Sequence, residues 1–352
     1  MTEAREITAE RHTASITSKR RGPSMADVAR LAGVSSQTVS RVSNGHANVD
    51  ENTRARVTAA MRELNYRPNG AARALKRGSY KSIGVIMFTL STFGNTRTLD
   101  AISVAASDAG FSIDLVPVRS QTVAEVAVAF SKLSEHAVDG IIIVIESHIL
   151  QEADIRIPAG LPVVIVDSAM SSDHPVVDAD QAQGARQATS HLLELGHETV
   201  WHVAGPTESY SAVRRENAWR ATLEEAGRNV PEVLYGDWSS QSGYKHGQSL
   251  AARSDVTAVF AANDQMALGI LRALHEAGRA VPADVSVVGF DDMEESVSFW
   301  PPLTTIHQDF SEIGRRAIAT LLRAIELGDY GTTAEIIPTR LVVRSSTAPP
   351  RP

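Results

Sequence analysis

The segment Ser24 to Ser43, SMADVARLAGVSSQTVSRVS, constrains this chain more than any other, because it spells two short helices joined by a tight turn. The first, Met25 to Leu31, carries apolar residues at Val28, Ala29 and Leu31. The second, Ser36 to Ser43, points Val39 and Val42 one way and Ser36, Gln37, Ser40 and Arg41 the other. Gly33 supplies the permissive backbone the turn needs, and Ser35 stands where its hydroxyl caps the second helix. Asp50 is placed to cap a third helix, Glu51 to Leu64, whose Val57, Ala60, Met61 and Leu64 recur at helical spacing and close a small core over the first two. The pattern predicts a helix-turn-helix whose polar outer face is suited to hydrogen-bonding DNA.

Charge follows the same division. Up to Lys81 the chain holds 15 Lys and Arg against 7 Asp and Glu, a net +8, so the rest carries −15 within an overall −7. A basic head on an acidic body is what phosphate binding by the head alone predicts. At 352 residues the chain exceeds one ordinary domain, and 43% hydrophobic content suffices for more than one core. The absence of cysteine removes disulfides, thiolate metal sites and cysteine nucleophiles and suits a reducing cytoplasm. No stretch approaches the roughly 20 apolar residues of a membrane span, and the first residues have no apolar core of signal-peptide length. A cytoplasmic protein without membrane association is therefore expected, with residues 1–22, polar and aperiodic, as a disordered extension.

Beyond the head, Tyr66-Arg67-Pro68 breaks the helical pattern, Asn69 is placed to cap, and Gly70 to Leu75 spells one short helix before Gly78-Ser79 ends it. So short a helix is unstable alone and is expected to fold only when two copies meet on DNA. From Lys81 onward, apolar runs alternate with helical stretches, the signature of parallel sheets with crossover helices. Strands are expected at Ser82 to Phe88, Phe111 to Val118, Gly140 to Ile145, Val163 to Asp167, Thr199 to Ala204, Ala258 to Ala262 and Val285 to Phe290. Helices are expected at Leu99 to Ala109, Thr122 to Ser134, Ala182 to Leu195, Ala212 to Ala226, Ser242 to Ala252 and Asp264 to Ala277. The fold class is α/β, with an all-α head and two sheets divided near Asp180.

The run DVARLAGVSSQTVSRVSNG, followed by TRARV, AAMRELNYRPN and AARAL, resembles the N-terminal domain of the lactose-repressor (LacI) family of bacterial transcription regulators. The similarity extends from about Ser24 to about Arg344, through AGP at Ala204, GDWS at Gly236, ANDQMALG at Ala262, VSVVGFDD at Val285 and PPLTTIHQDF at Pro301. It implies a DNA-binding head at 23–68, a hinge helix and linker at 69–81, a two-lobed effector-sensing and dimerisation domain like periplasmic sugar-binding proteins at 82–346, and a tail at 347–352. On the head, Ser36 and Gln37 map to the family's specificity positions and read bases beside Arg41, while Ser35 and Thr38 hold phosphates. Ser40, Asn44 and His46 belong to the same DNA-facing set. The resemblance carries Asn69, Ala72 and Leu75 into the minor groove, with Leu75 as a wedge between base pairs.

For the sensor, Asp167, Asn263 and Asp291 each fall at or just past the end of an apolar run, where an open α/β sheet places its ligand contacts. A carboxylate accepts two hydroxyls at once, an Asn donates and accepts, and an Arg supplies a planar fork, a mixture suited to a polyol. The resemblance adds Arg215, Trp238 with its ring-stacking face, and Gln308 and Phe310 where the chain crosses back to the first lobe. Alternatives stand beside these roles: Asp291 as a cap, Trp238 as lobe packing, Asn263 and Asp264 as a helix start, Asp167 as a strand-end turn, and Arg215 paired with Glu216 or Glu225. Val144 and Val213 replace an asparagine and an arginine of the lactose-binding members, so a different sugar is expected, a β-glucoside or galactoside. Phe88 to Thr96 is expected to line the first-lobe wall.

Enzyme chemistry has little support: the sequence holds no GxSxG, no Walker loop and no metal-spaced His pair, and its 11 His are scattered. Asp291-Asp292 with Glu294-Glu295 reads as a solvated acidic loop rather than a hydrolase cluster. The expected protein is a homodimeric repressor of carbohydrate-utilisation genes that binds double-stranded operator DNA under control of a sugar effector, with no enzymatic activity, cofactor or metal. A co-repressed regulator responding to a non-sugar molecule such as a purine is the alternative.

Overall fold

The structure, a computed structural model, describes residues 22–67, 78–118, 122–144, 160–167, 174–328, 331 and 334–351. Asn69, Ala72 and Leu75, with the rest of the expected hinge helix, lie outside the described residues, as do residues 1–21. Two compact units divide the chain, Met1–Gly78 and Ser79–Pro352.

In the first unit, α1 (Met25–Ala32), α2 (Ser36–Ser43) and α3 (Glu51–Glu63) are each started by a side-chain cap. Ser24 and Asp27 form a reciprocal box: the Ser24 hydroxyl oxygen accepts from the Asp27 N–H at 3.3 Å, and the Asp27 carboxylate accepts from the Ser24 N–H at 2.9 Å. Gly33 ends α1 with a left-handed φ of 63°, which a residue with a Cβ adopts only at a cost. Ser35 accepts from the Thr38 N–H at 3.2 Å, and Asp50 from the Thr53 N–H at 2.9 Å. Val28, Ala29, Ala32, Val39, Val57 and Ala60 make the core. Leu31, counted with the apolar face of α1 from sequence, is 46% exposed, because Ala32 completes the inward stripe one residue later.

The second unit consists of two lobes with one shared plan. The first lobe contains β1 (Ser82–Met87), α4 (Phe93–Asp108), β2 (Ser112–Pro117), α5 (Val123–His136), β3 (Gly140–Val144), β4 (Val163–Val166) and β5 (Val176–Ala179). The second contains α6 (Gln181–Glu194), β6 (Trp201–Ala204), α7 (Tyr210–Glu225), β7 (Leu234–Tyr235), α8 (Ser240–Ala251), β8 (Ala258–Ala261), α9 (Asp264–Glu276), β9 (Ser286–Asp291) and β10 (Thr304–His307). The chain then returns to the first lobe as α10 (Phe310–Leu327) and β11 (Ala334–Ile337), and crosses again to place β12 (Arg340–Val342) in the second. Among the described residues the sheets run β2-β1-β3-β4-β5-β11 and β7-β6-β8-β9-β10-β12, with β12 antiparallel to β10 and the other described pairings parallel.

Helices on both sheet faces explain why β3 (GIIIV) and β4 (VVIV) are apolar throughout rather than alternating. On β1, Ile83, Val85 and Met87 join the cluster that contains α4 and α10 residues, while Ile86 joins the α5 side. The division near Asp180 is the first of three lobe crossings. At the ends of this unit, Asp139 accepts from the N–H groups of Tyr80 and Lys81 at 2.8 and 2.6 Å, and the Ala348 carbonyl accepts from the Ser286 hydroxyl at 3.0 Å. Parts of the segments read as linker and tail are therefore hydrogen-bonded to the sensor.

Candidate functional site

A cleft of about 510 Å³, its open mouth included, lies between the lobes where the carboxyl ends of both sheets meet. Asp167, Arg215, Trp238, Asn263, Asp291, Gln308 and Phe310 all line it, as do Thr92, Phe93, Gly94, Thr98, Val166, Asp178, Gln181, Ser211 and Ile313. Strand ends deliver the carboxylates: Asp167 follows β4, Asp178 sits near the end of β5, and Asp291 ends β9. Both Asp167 and Asp291 have positive φ, 55° and 109°, strained backbone of the kind that collects at binding sites.

Arg215 organises the second-lobe wall. It is 4% exposed; its Nε donates to Gln181 Oε1 at 2.9 Å and its Nη1 to the Ala262 carbonyl at 2.5 Å. The guanidinium lies 3.7 Å from the Phe290 ring centroid and 5.5 Å from that of Trp238, while Nη2 stands 3.9 Å from Asp291 Oδ1. Glu216, a partner the sequence offered for Arg215, accepts from Arg220 at 3.0 Å. Gln308 Nε2 donates to Asp291 Oδ1 at 2.7 Å, and Gln181 Nε2 donates to Gln308 Oε1 at 3.1 Å, closing a chain from Arg215 to Asp291.

Two residues combine a structural role with a place on the cleft wall. Asn263 caps α9, its Oδ1 accepting from the Met266 N–H at 2.8 Å, and also faces the cleft, its Nδ2 donating to the Trp238 carbonyl at 3.0 Å. Trp238 packs against the second-lobe core while its side chain lines the cleft. Asp264, by contrast, does not line it: it accepts from Thr305 Oγ1 at 2.5 Å, Ser296 Oγ at 2.7 Å and the Met293 N–H at 2.9 Å.

Burial sets the electrostatics. It pushes the Asp291 carboxyl up to about 7 against the pull of Arg215, with Asp264 adding repulsion. Asp167 is raised by burial to about 6, opposed by Arg215 and Arg214. Asp178, 2% exposed, lies well above the ordinary carboxylate range through burial and repulsion from Asp167, opposed by Arg214. Arg97 of α4 also pairs with Glu294 from one lobe to the other.

Sequence reasoning missed Asp178, Gln181 and Ser211. β5 is only four residues long, and a visible signal was the charged residue inside its apolar VVDA. The stretch expected to line the first-lobe wall contributes Thr92, Phe93 and Gly94, with the Phe93 and Phe310 rings edge to face at 5.9 Å.

On the head, Ser35, Ser36, Gln37, Arg41 and His46 are exposed, whereas Thr38, Ser40 and Asn44 are half-buried. Asn44 Nδ2 donates to Ser40 Oγ at 3.3 Å, and the Ser35 and Thr38 hydroxyls lie 3.0 Å apart. Arg54 donates to the His46 carbonyl at 2.6 Å, holding the loop after α2 against α3.

A helix-turn-helix head and a two-lobed, cleft-bearing α/β unit in one chain define a ligand-responsive DNA-binding regulator. Residues 24–69 match the family described as "Bacterial regulatory proteins, lacI family", and residues 189–347 the "Periplasmic binding protein-like domain". The chain is 36% identical over 329 residues to the lactose operon repressor of Escherichia coli (strain K12), covering 92% of this chain and 90% of that protein. It is 32% identical over 328 residues to the HTH-type transcriptional repressor PurR of Haemophilus influenzae (strain PittEE), covering 91% and 97%. The crystal structure of the lac repressor dimer bound to operator and the anti-inducer ONPF superposes with a TM-score of 0.85 at 34% identity, covering 93% of this chain and 100% of that one. The chain belongs to the LacI family of transcriptional repressors, whose members are DNA-binding regulators and not enzymes. Among the described residues, no helix is long and apolar enough to cross a membrane.

Proposed function

We propose that this repressor controls carbohydrate-utilisation genes in the cytoplasm, binding double-stranded operator DNA as a homodimer and releasing it when a sugar fills the cleft. The reading rests on one observation: carboxylates, an arginine fork, two amides and aromatic faces converge on one cleft between the lobes. That mixture matches a pyranose, which has hydroxyls around its edge and an apolar C–H face for Trp238 and Phe310. Asp167 and Asp291 accept hydroxyls, while Arg215, Gln308 and Asn263 orient the ring. On the head at 23–68, Ser36, Gln37 and Arg41 read the major groove, Ser35 and Thr38 hold phosphates, and Ser40, Asn44 and His46 complete the contact. Asn69, Ala72 and Leu75 carry the hinge at 69–81 into the minor groove.

Lobe closure around the sugar is the step that couples the sensor at 82–346 to the head. A thermal-shift screen of sugars and purine bases identifies the effector, since a ligand of the folded state raises the melting temperature. Operator titrations with and without it then give the direction. Reciprocity requires the operator to weaken sugar binding by the same factor, in a coupling of about 1–3 kcal/mol. An effector that tightens operator binding makes this a co-repressed member; a purine base that binds where no sugar does replaces the carbohydrate reading.

A further inference from the structure

The two walls of the cleft differ in what they leave unmet. On the first-lobe wall, Thr92 Oγ1, Asp167 Oδ1 and Asp178 Oδ2 are buried and make no hydrogen bond among the described residues. On the second-lobe wall, Arg215, Asn263 and Asp291 Oδ1 are hydrogen-bonded within the protein. Buried oxygens without donors are costly, and few survive in folded proteins without a reason. Two of these three are carboxylate oxygens, so this wall needs donors.

Charge narrows the donor. A phosphate or carboxylate brought here would meet Asp167 and Asp178, which already repel each other. A cation is not called for either, because Arg214 and Arg215 already act on Asp167, and Arg214 Nη1 stands 3.8 Å from Asp178 Oδ2. That separation balances charge without making a hydrogen bond. Neutral O–H groups satisfy both requirements.

We propose that Thr92, Asp167 and Asp178 form a hydroxyl-recognition subsite that takes adjacent hydroxyls of a neutral sugar ring, and that Asp178 sets the preference for neutral over phosphorylated or carboxylated sugars. This rests on the carbohydrate reading of the same cleft and adds to it the class of sugar and the wall that selects it. Asp178 contributes an acceptor that sequence position alone did not reveal, and Arg214 opposes the burial that raises its carboxyl.

Calorimetry on the full-length wild type and on Asp178→Asn and Thr92→Val tests it, with neutral probes (cellobiose, methyl β-galactoside, ribose), charged ones (glucose 6-phosphate, glucuronate) and hypoxanthine. The expected result is that a neutral sugar binds the wild type more tightly than either charged sugar, that Asp178→Asn weakens it by about tenfold or more, and that Thr92→Val weakens it by about threefold or more. Both substitutions are near-isosteric, and a retained melting transition shows that the variants are folded. Equal affinity of wild type and Asp178→Asn for the neutral sugar overturns the subsite while leaving the carbohydrate reading intact, as does tighter binding of a charged sugar. Binding of hypoxanthine with no sugar bound defeats the carbohydrate reading itself, and the subsite with it.

Discussion

Gln181 Nε2 donates to Gln308 Oε1 at 3.1 Å, joining the first and second of the points at which the chain passes between lobes. Gln181 opens α6 just after the first crossing, and Gln308 precedes α10 at the second. Both are nearly inaccessible to solvent, so breaking their bond strands polar atoms where water cannot replace it. Gln308→Leu removes the donor to Asp291 as well and should cost about 1–3 kcal/mol by urea unfolding. In a double-mutant cycle with Gln181→Leu, the two losses should fall short of their sum by about 0.5–3 kcal/mol. Simple additivity would show two separate contacts instead of one network.

The raised carboxyl of Asp291 makes a pH prediction with a definite sign. Its folded value of about 7 exceeds the ordinary 3.8, so the folded chain binds more protons than the unfolded one between those values. Asp291 therefore contributes stability that is fully present below about pH 4 and lost as the pH rises through about 7. Asp167 and Asp264 act the same way through about 6, whereas buried His202, lowered to about 4, loses its contribution as pH falls from about 6.5. Unfolding wild type beside Asp291→Asn isolates one group: the stability of wild type relative to the variant should decline from about pH 4 to about pH 7 and then level off. A flat difference would mean that Asp291 ionises normally in the fold.

How much of this was legible depends on length and on burial. The long apolar strands and the capped helices were visible because periodicity and caps are local, and α2 occupies the residues its pattern marks, Ser36–Ser43. β5, β7, β10, β11 and β12 span two to four residues each, too short to establish an alternation, and TTIH in β10 has one apolar residue, Ile306. α4 begins at Phe93, six residues before the expected Leu99, because its first turn is polar and glycine-bearing. The seven nominated cleft residues lie at strand ends or in motif matches, which sequence exposes. Asp178 and Gln181 depend on where β5 lies beside β4, a tertiary fact that no local pattern encodes.

The exposed outer edge of α2 carries a separate prediction. Gln37 is exposed in the second position of that helix, where its amide is free to meet a base edge. Gln37→Ala should cost about 1–3 kcal/mol against operator variants that keep one particular base pair and almost nothing against variants that change it. Equal losses across all variants would make Gln37 a backbone contact.

Trp300 bears on the proposed homodimer. It is 92% exposed, and Val297 beside it is 57% exposed, an unusual cost for an indole to bear in water. A second copy of the chain is the partner proposed for this surface. Trp300→Glu should weaken dimerisation by about tenfold or more in sedimentation equilibrium, with the monomer fold retained. An unchanged dimer constant would move the interface elsewhere.

Gly205 offers a way to disturb the sugar face without touching a polar contact. A Cβ built there would lie 2.4 Å from Trp238 Cη2 and Cζ2, so the indole rests flush on the backbone after β6. The indole has little room to yield, because Trp238 holds a left-handed φ of 69° and its carbonyl is fixed by Asn263. Gly205→Ala must then drive the ring out of place or shift its loop, costing about 1–3 kcal/mol of stability. If Trp238 stacks on the sugar, the displaced ring should lower sugar affinity by about tenfold or more, since misplacing a positioned group by an ångström is expensive. Operator binding in the absence of sugar should persist, giving a repressor that holds DNA but no longer answers its effector. The decisive measurement is a sugar titration of operator-bound Gly205→Ala: release at wild-type concentrations would show that the Trp238 ring does not carry the sugar face.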